Sequence, residues 1–242
     1  DLPKIGEWLA ERLCELQEWA KLEPIEHPDR SALCTLVFSS ADLVGKKAAE
    51  LDRTIHFVGP AIQETARQTI DFPWHKLSSM PLIYISLGTI NEGMGTHFYP
   101  AVFDALAGGD YQAVVVGPDA FASQAPCNVI LVPRAPQIQI LERSIAVVTH
   151  GGHNTVCESL IQGLPLIVTP IKDDQPIIAQ QVVDAGAGIR LRFNRFTSAD
   201  MRAAIETVTH DVSYKQSAEQ IGSSLKAAGG AHRAADILES LL

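Results

Sequence analysis

Two rhythms of hydrophobic and polar residues run along this chain. Between residues 82 and 193 lie six short apolar runs: LIYISLG, QAVVVG, NVILV, IAVVTH, PLIVTP and GIRLRF. Continuous apolar runs separated by helical stretches predict parallel strands buried on both faces. Helices are predicted over HFYPAVFDALAGG, TVCESLIQG, PIIAQQVVDAGAG, SADMRAAIETVTH and SYKQSAEQIGSSLKAAGG, several of them followed by glycine, which ends helices well. Six strands connected in this way predict an α/β fold, a Rossmann-like doubly wound parallel sheet that binds its ligand outside the carboxyl ends of the strands.

The first third of the chain is patterned differently. Ile5, Trp8, Leu9, Leu13, Leu16 and Trp19 recur at spacings of three and four, which puts them on one stripe of a helix that must pack against something. The two prolines of LEPIEHPDR stop that helix, and two short apolar runs, ALCTLVF and IHFVGP, follow. From about residue 57 to 81 the chain is proline-punctuated and weakly periodic, as a connection is. The expected division is therefore a first unit over 1–58, a linker over 59–81 and a second unit over 82–242.

Composition narrows the functional classes. The 242 residues are 46% hydrophobic, enough for a buried core, and 19 basic against 28 acidic residues give a net charge of −9. No basic block is present, so nucleic acid is not an expected partner. The longest apolar runs fall well short of the roughly 20 residues that span a bilayer, so no transmembrane segment is expected. Cysteines 14, 34, 127 and 157 form neither a metal-binding pair nor a disulfide framework, and no N-x-S/T sequon occurs, which points to reduced thiols and a cytoplasmic setting. The opening stretch is amphipathic and acidic, unlike a signal peptide, and lacks an initiating methionine, as a fragment or processed chain would.

The candidate chemistry centres on VVTHGGHNTVCESLIQG, residues 147–163. A strand runs to His150, Gly151 and Gly152 allow a tight turn and close backbone approach, and a helix is expected to begin near Thr155. The first N–H groups of such a helix lack intrahelical partners and carry partial positive charge, which suits a phosphate. His150, Asn154 and Thr155 can each donate a hydrogen bond to it. A glycine turn between strand and helix is nonetheless common in α/β proteins. Glu158 has two readings: on spacing alone Thr155-x-x-Glu158 is a capping box, and alternatively the carboxylate accepts hydrogen bonds from a ribose diol. His150 and His153 invite a metal-pair reading, but no third ligand lies nearby in sequence. The absence of GxGxxG, GxxxxGK[ST] and GxSxG disfavours NAD enzymes, P-loop NTPases and α/β-hydrolases.

Taken in order, RAPQIQIL, THGGHNTVCES and GLPLIVTPIKDDQP resemble the donor-binding signature of the family 1 UDP-glycosyltransferases. The resemblance runs from about residue 57 to the end of the chain, through FVGP, SLGT and GGAHRAADILE. It implies the GT-B architecture: a donor-binding C-terminal domain over 82–242, and, over 1–58, only the last part of an acceptor-binding N-terminal domain. The last helix would return to that first unit. Gln137 would lie by the uracil, chiefly through its backbone. Arg134 stands where plant members carry a stacking tryptophan, and a guanidinium plane can also stack on a base.

By the same resemblance Gly88 and Thr89 would face the donor phosphates, and His150, Gly152, Asn154 and Thr155 would hold the diphosphate. Glu158 would take the ribose hydroxyls, favouring UDP over dTDP, and Asp174 and Gln175 the sugar hydroxyls, as in glucose-using members. The implied reaction is inverting transfer of a hexose, glucose favoured, from a UDP-sugar to a small lipophilic acceptor, with no cofactor and no metal. The family's base is a histidine early in the N-terminal domain, and none of His27, His56, His75 or His97 matches its motif, so no catalytic residue is assigned in this chain. A donor-binding module silent by itself is the alternative. Another GT-B enzyme, such as a UDP-GlcNAc epimerase, would predict different residues at PQ and DQ.

Overall fold

The structure, a computed structural model, describes residues 2–21, 31–62, 68–88 and 96–241. Helix α1 (Leu2–Ala20) leads to strand β1 (Thr35–Val37), the short helix α2 (Ala41–Val44) and strand β2 (Ile55–Phe57). β1 and β2 form a two-stranded parallel sheet. The chain goes on through β3 (Leu82–Ser86), α3 (Phe98–Leu106), β4 (Gln112–Val116), β5 (Val129–Val132), α4 (Gln137–Leu141) and β6 (Ser144–Thr149). It continues through α5 (His153–Ile161), β7 (Leu166–Val168), α6 (Gln175–Asp184), β8 (Gly188–Arg190), α7 (Ser198–His210), α8 (Val212–Ala227) and α9 (Gly230–Glu239).

Each of the six apolar runs supplies one strand of a single parallel sheet with the order β5-β4-β3-β6-β7-β8. The chain starts in the middle at β3, winds outward to β5, then returns beside β3 and winds the other way. This is the doubly wound order, with its switch point between β3 and β6. Both faces are buried because side chains alternate across the pleat. Tyr84, Val114, Val147, Leu166 and Val168 pack on one side with α5, α6 and α8 residues such as Leu160, Val182 and Leu225. Ile83, Ile85, Val115, Val148 and Ile167 pack on the other with Phe98, Val102, Met201 and Ile205 of α3 and α7.

The segment around β1 and β2 packs against the last helix. Ala234 and Ile237 of α9 cover Val58, beside Cys34 and Leu36, and the Gly230 N–H donates to the Val58 carbonyl at 2.5 Å. A further tie reaches α5, where His153 Nε2 bonds the Phe38 carbonyl at 2.9 Å. Of the apolar stripe of α1, the side chains of Ile5, Leu9 and Leu13 lie outside those described, and Trp8, Leu16 and Trp19 depart from expectation at 56%, 61% and 84% exposed. The period predicted the helix, but a period says nothing about whether a partner surface is at hand. No helix among the described residues is long and apolar enough to cross a membrane.

Candidate functional site

A cleft of about 530 Å³ opens at the carboxyl ends of the strands, over the switch point between β3 and β6. Four loops line it, following β3, β5, β6 and β7. They bring together Gly88, Arg134, Gln137, His150, Gly152, Asn154, Thr155 and Gln175, eight of the residues singled out in the sequence. Glu158 stands behind the lining, bonded to Gln137, Asp174 is not part of the lining, and Thr89 lies outside the described residues.

His150 directly follows β6 and is partly buried, and that burial pushes its imidazole below the ordinary histidine range. A hydrogen bond to the Ser86 backbone and the charge of Asp174 oppose the shift without reversing it. The ring is therefore neutral at neutral pH, keeping one N–H donor and one acceptor nitrogen. Its Cε1–Nε2 edge lies against both Gly88 and Gly152: a Cβ at Gly88 would sit 2.7 Å from Cε1, and one at Gly152 2.5 Å from Nε2. At both positions the missing Cβ leaves room for the imidazole. Gly88 and Gly151 have a second reason, left-handed φ values of 73° and 91°.

Helix α5 begins at His153, two residues earlier than expected, with Gly152 as N-cap in extended geometry (φ −61°, ψ 130°) and without a side-chain cap. Thr155 is already inside the first turn, so it cannot cap, and the expected Thr155–Glu158 capping box does not form. The uncapped N-terminal turn, carrying Asn154 and Thr155, faces the cleft. Its orphan N–H groups and the helix dipole give that turn the partial positive charge that suits an anion. His153, the other half of the suggested metal pair, also lines the cleft, and its Nε2 bonds the Phe38 carbonyl and lies 3.4 Å from Cys157 Sγ. Among the described residues no group of three or more His, Cys, Asp or Glu gathers to hold a metal.

Glu158 is buried at 3% exposure, and its Oε2 accepts from Gln137 Nε2 at 2.7 Å. The same amide accepts from the Tyr84 hydroxyl at 2.9 Å through Oε1, while Nε2 also lies 3.5 Å from Thr155 Oγ1. Tyr84 was missed in the sequence. Its signal is a tyrosine inside the buried run LIYIS, since a buried phenol must find a hydrogen-bond partner. Arg134 is exposed on the rim of the cleft.

After β7 the chain turns through Asp173, which has a left-handed φ of 54°. Gln175 is buried, and its Oε1 accepts from the backbone N–H groups of Ile171 at 2.9 Å and Lys172 at 3.2 Å, stapling the loop to the start of α6. Asp174 is the N-cap of α6 and is exposed. Of the DDQ triplet it is Asp173, with Lys172 beside it, that lines the cleft in place of Asp174. Lys172 Nζ and Asp173 Oδ2 are 4.0 Å apart. Neither was singled out, because spacing does not tell which of two adjacent aspartates a turn will present.

The sequence profile of the UDP-glucoronosyl and UDP-glucosyl transferases matches residues 80–227. An uncharacterized UDP-glucosyltransferase of Bacillus subtilis, YojK, is 35% identical over 86% of this chain and 52% of its own length. Among solved structures, the calicheamicin glycosyltransferase CalG4 superposes with a TM-score of 0.77 at 25% identity, over 96% of this chain and 60% of its own. The glycosyltransferase of kitacinnamycin does so with a TM-score of 0.77 at 26% identity, over 98% and 63%. The chain spans about half the length of the curated relatives it matches.

Proposed function

The chain belongs to the UDP-glucoronosyl and UDP-glucosyl transferase family, and we propose that its cleft is the nucleotide-sugar donor site of an inverting glycosyltransferase. The whole protein would move a hexose, glucose favoured, from a UDP-sugar to a hydroxyl or amine of a small lipophilic acceptor. The observation that carries this reading is a single juxtaposition. An uncapped helix N-terminus suited to a diphosphate opens beside a buried carboxylate suited to a ribose diol, at the switch point of the sheet.

In this reading the diphosphate lies on the first turn of α5, with the neutral His150 and the side chains of Asn154 and Thr155 as further donors. Lys172 adds positive charge at the same end of the cleft. The backbone at Gln137 meets the uracil, Arg134 stacks from the rim, and Glu158 reads the ribose. Asp174 and Gln175 take the sugar hydroxyls; because Gln175 Oε1 already holds its own loop, its Nε2 is the end offered to the sugar. Preorganised N–H groups then stabilise the charge that develops on departing UDP.

The residue that deprotonates the acceptor contributes about 10² to 10⁴ in rate in such chemistry, and no residue of this chain is assigned that role. His97, for one, is bonded through Nε2 to the Phe196 carbonyl at 2.7 Å. The chain by itself is therefore expected to bind donor and turn over little of it. Titration calorimetry with UDP and UDP-glucose tests the assignment: binding of both is expected, and no heat with either would overturn the donor site.

A further inference from the structure

Resting on the donor-site reading above, the geometry points to Tyr84 as a positioning residue for ribose recognition. Through Gln137, it holds the Glu158 carboxylate where it distinguishes ribonucleotide from 2′-deoxyribonucleotide diphosphates. The three groups form a one-way chain of hydrogen bonds. The Tyr84 O–H donates to Gln137 Oε1 at 2.9 Å, and Gln137 Nε2 donates to Glu158 Oε2 at 2.7 Å. A carboxylate only accepts, and the phenol here donates, so the amide is oriented from both ends. Serial donors also polarise one another in a low-dielectric interior.

What each member stands on gives the chain its direction. Tyr84 is in the central strand β3, is 2% exposed, and packs in the core with Val114, Val147 and Val156. Its hydroxyl is therefore placed by the sheet. Gln137 opens the five-residue helix α4 after a loop, and Glu158 sits in the second turn of α5. A sheet-anchored donor thus ties together two elements that reach the cleft by separate connections. A phenylalanine would keep the ring and its packing but leave the amide held from one end, free to rock about the Glu158 bond. The group that pays is the one reading the 2′-hydroxyl, since a site built to hydrogen-bond a hydroxyl loses its selectivity when its own groups are misplaced.

The test is calorimetric titration of the full chain with UDP and 2′-deoxy-UDP, for wild type, Tyr84→Phe, Glu158→Ala and the double variant, with thermal melts alongside. Wild type is expected to prefer UDP, and Tyr84→Phe to weaken UDP binding about tenfold, as loss of one positioning hydrogen bond would, with 2′-deoxy-UDP changed by less than about twofold. In the Glu158→Ala background Tyr84→Phe should change neither ligand's affinity, because its effect passes through that carboxylate. If Glu158→Ala abolishes the preference while Tyr84→Phe leaves it intact, or lowers both affinities equally, the positioning role is overturned and the donor site stands. If wild type binds both ligands equally, the ribose reading of Glu158 has failed; if it binds neither, the donor site itself has.

Discussion

Replacing Gly152 by alanine isolates why the turn after β6 carries a second glycine. Its backbone, at φ −61° and ψ 130°, suits any residue, so conformational strain is not the reason. The added Cβ would instead lie 2.5 Å from His150 Nε2 and 2.8 Å from Cε1, where ordinary contact begins at 3.4 Å. The ring edge must retreat by about 0.9 Å, the difference between 3.4 and 2.5 Å, although the same edge already lies against Gly88. Overpacking of this kind costs about 1–3 kcal/mol. For a chain of this length each kcal/mol lowers Tm by about 2–4 °C.

Scanning calorimetry of wild type, Gly152→Ala, His150→Ala and the double variant separates the clash from any general effect of alanine at a helix N-cap. Most of the loss should vanish in the His150→Ala background, leaving about 0.5 kcal/mol for the poorer cap. Equal losses in both backgrounds, within about 0.5 kcal/mol, would refute the claim that the glycine serves the imidazole. UDP affinity should fall about tenfold in Gly152→Ala if His150 donates to the diphosphate, the loss of one hydrogen bond to a charged group.

The lowered imidazole of His150 links stability to pH. The unfolded chain, with a histidine pKa of about 6.5, binds the proton at higher pH than the folded one, so this contribution is present above that value. It is lost as pH falls through it towards the folded pKa. Thermal melts between pH 5 and 7.5 should show that decline in wild type and a flatter profile in His150→Asn; matching profiles would sink the assignment. The helix caps make a paired test. Thr197 forms a capping box with Asp200 at the start of α7, so Thr197→Ala should cost about 0.5–2 kcal/mol. Thr155→Ala, at a position that is not a cap, should cost less than about 0.5 kcal/mol while weakening UDP binding; a full cap-sized loss there would restore the capping box.

The parts of this protein that depend on neighbours in sequence were legible without a structure. Six buried strands followed from six apolar runs, because a strand covered on both faces needs apolar residues on both. The doubly wound class followed from their alternation with helices. The turn at His150–Gly152 was likewise readable as the junction of a strand and a helix, because paired glycines between an apolar run and a helical pattern act locally. The start of α5 was misplaced by two residues, because Gly152 took the cap position by its extended backbone and spacing alone had offered Thr155.

What the chain's own text determined, then, was which segments are buried and where they turn, since periodicity and glycine placement act over a few residues. Only the tertiary structure decided what those turns are for. Tyr84 and Gln137 stand 53 residues apart and meet at 2.9 Å because the sheet order sets β3 beside β6 and brings the loop after β5 to the same edge. That meeting orients the buried Glu158 carboxylate, and the approach of the loops after β3 and β6 seats His150 between two glycines. Contacts at such separation depend on which strands become neighbours, and that is settled by packing the whole sheet rather than by any local pattern.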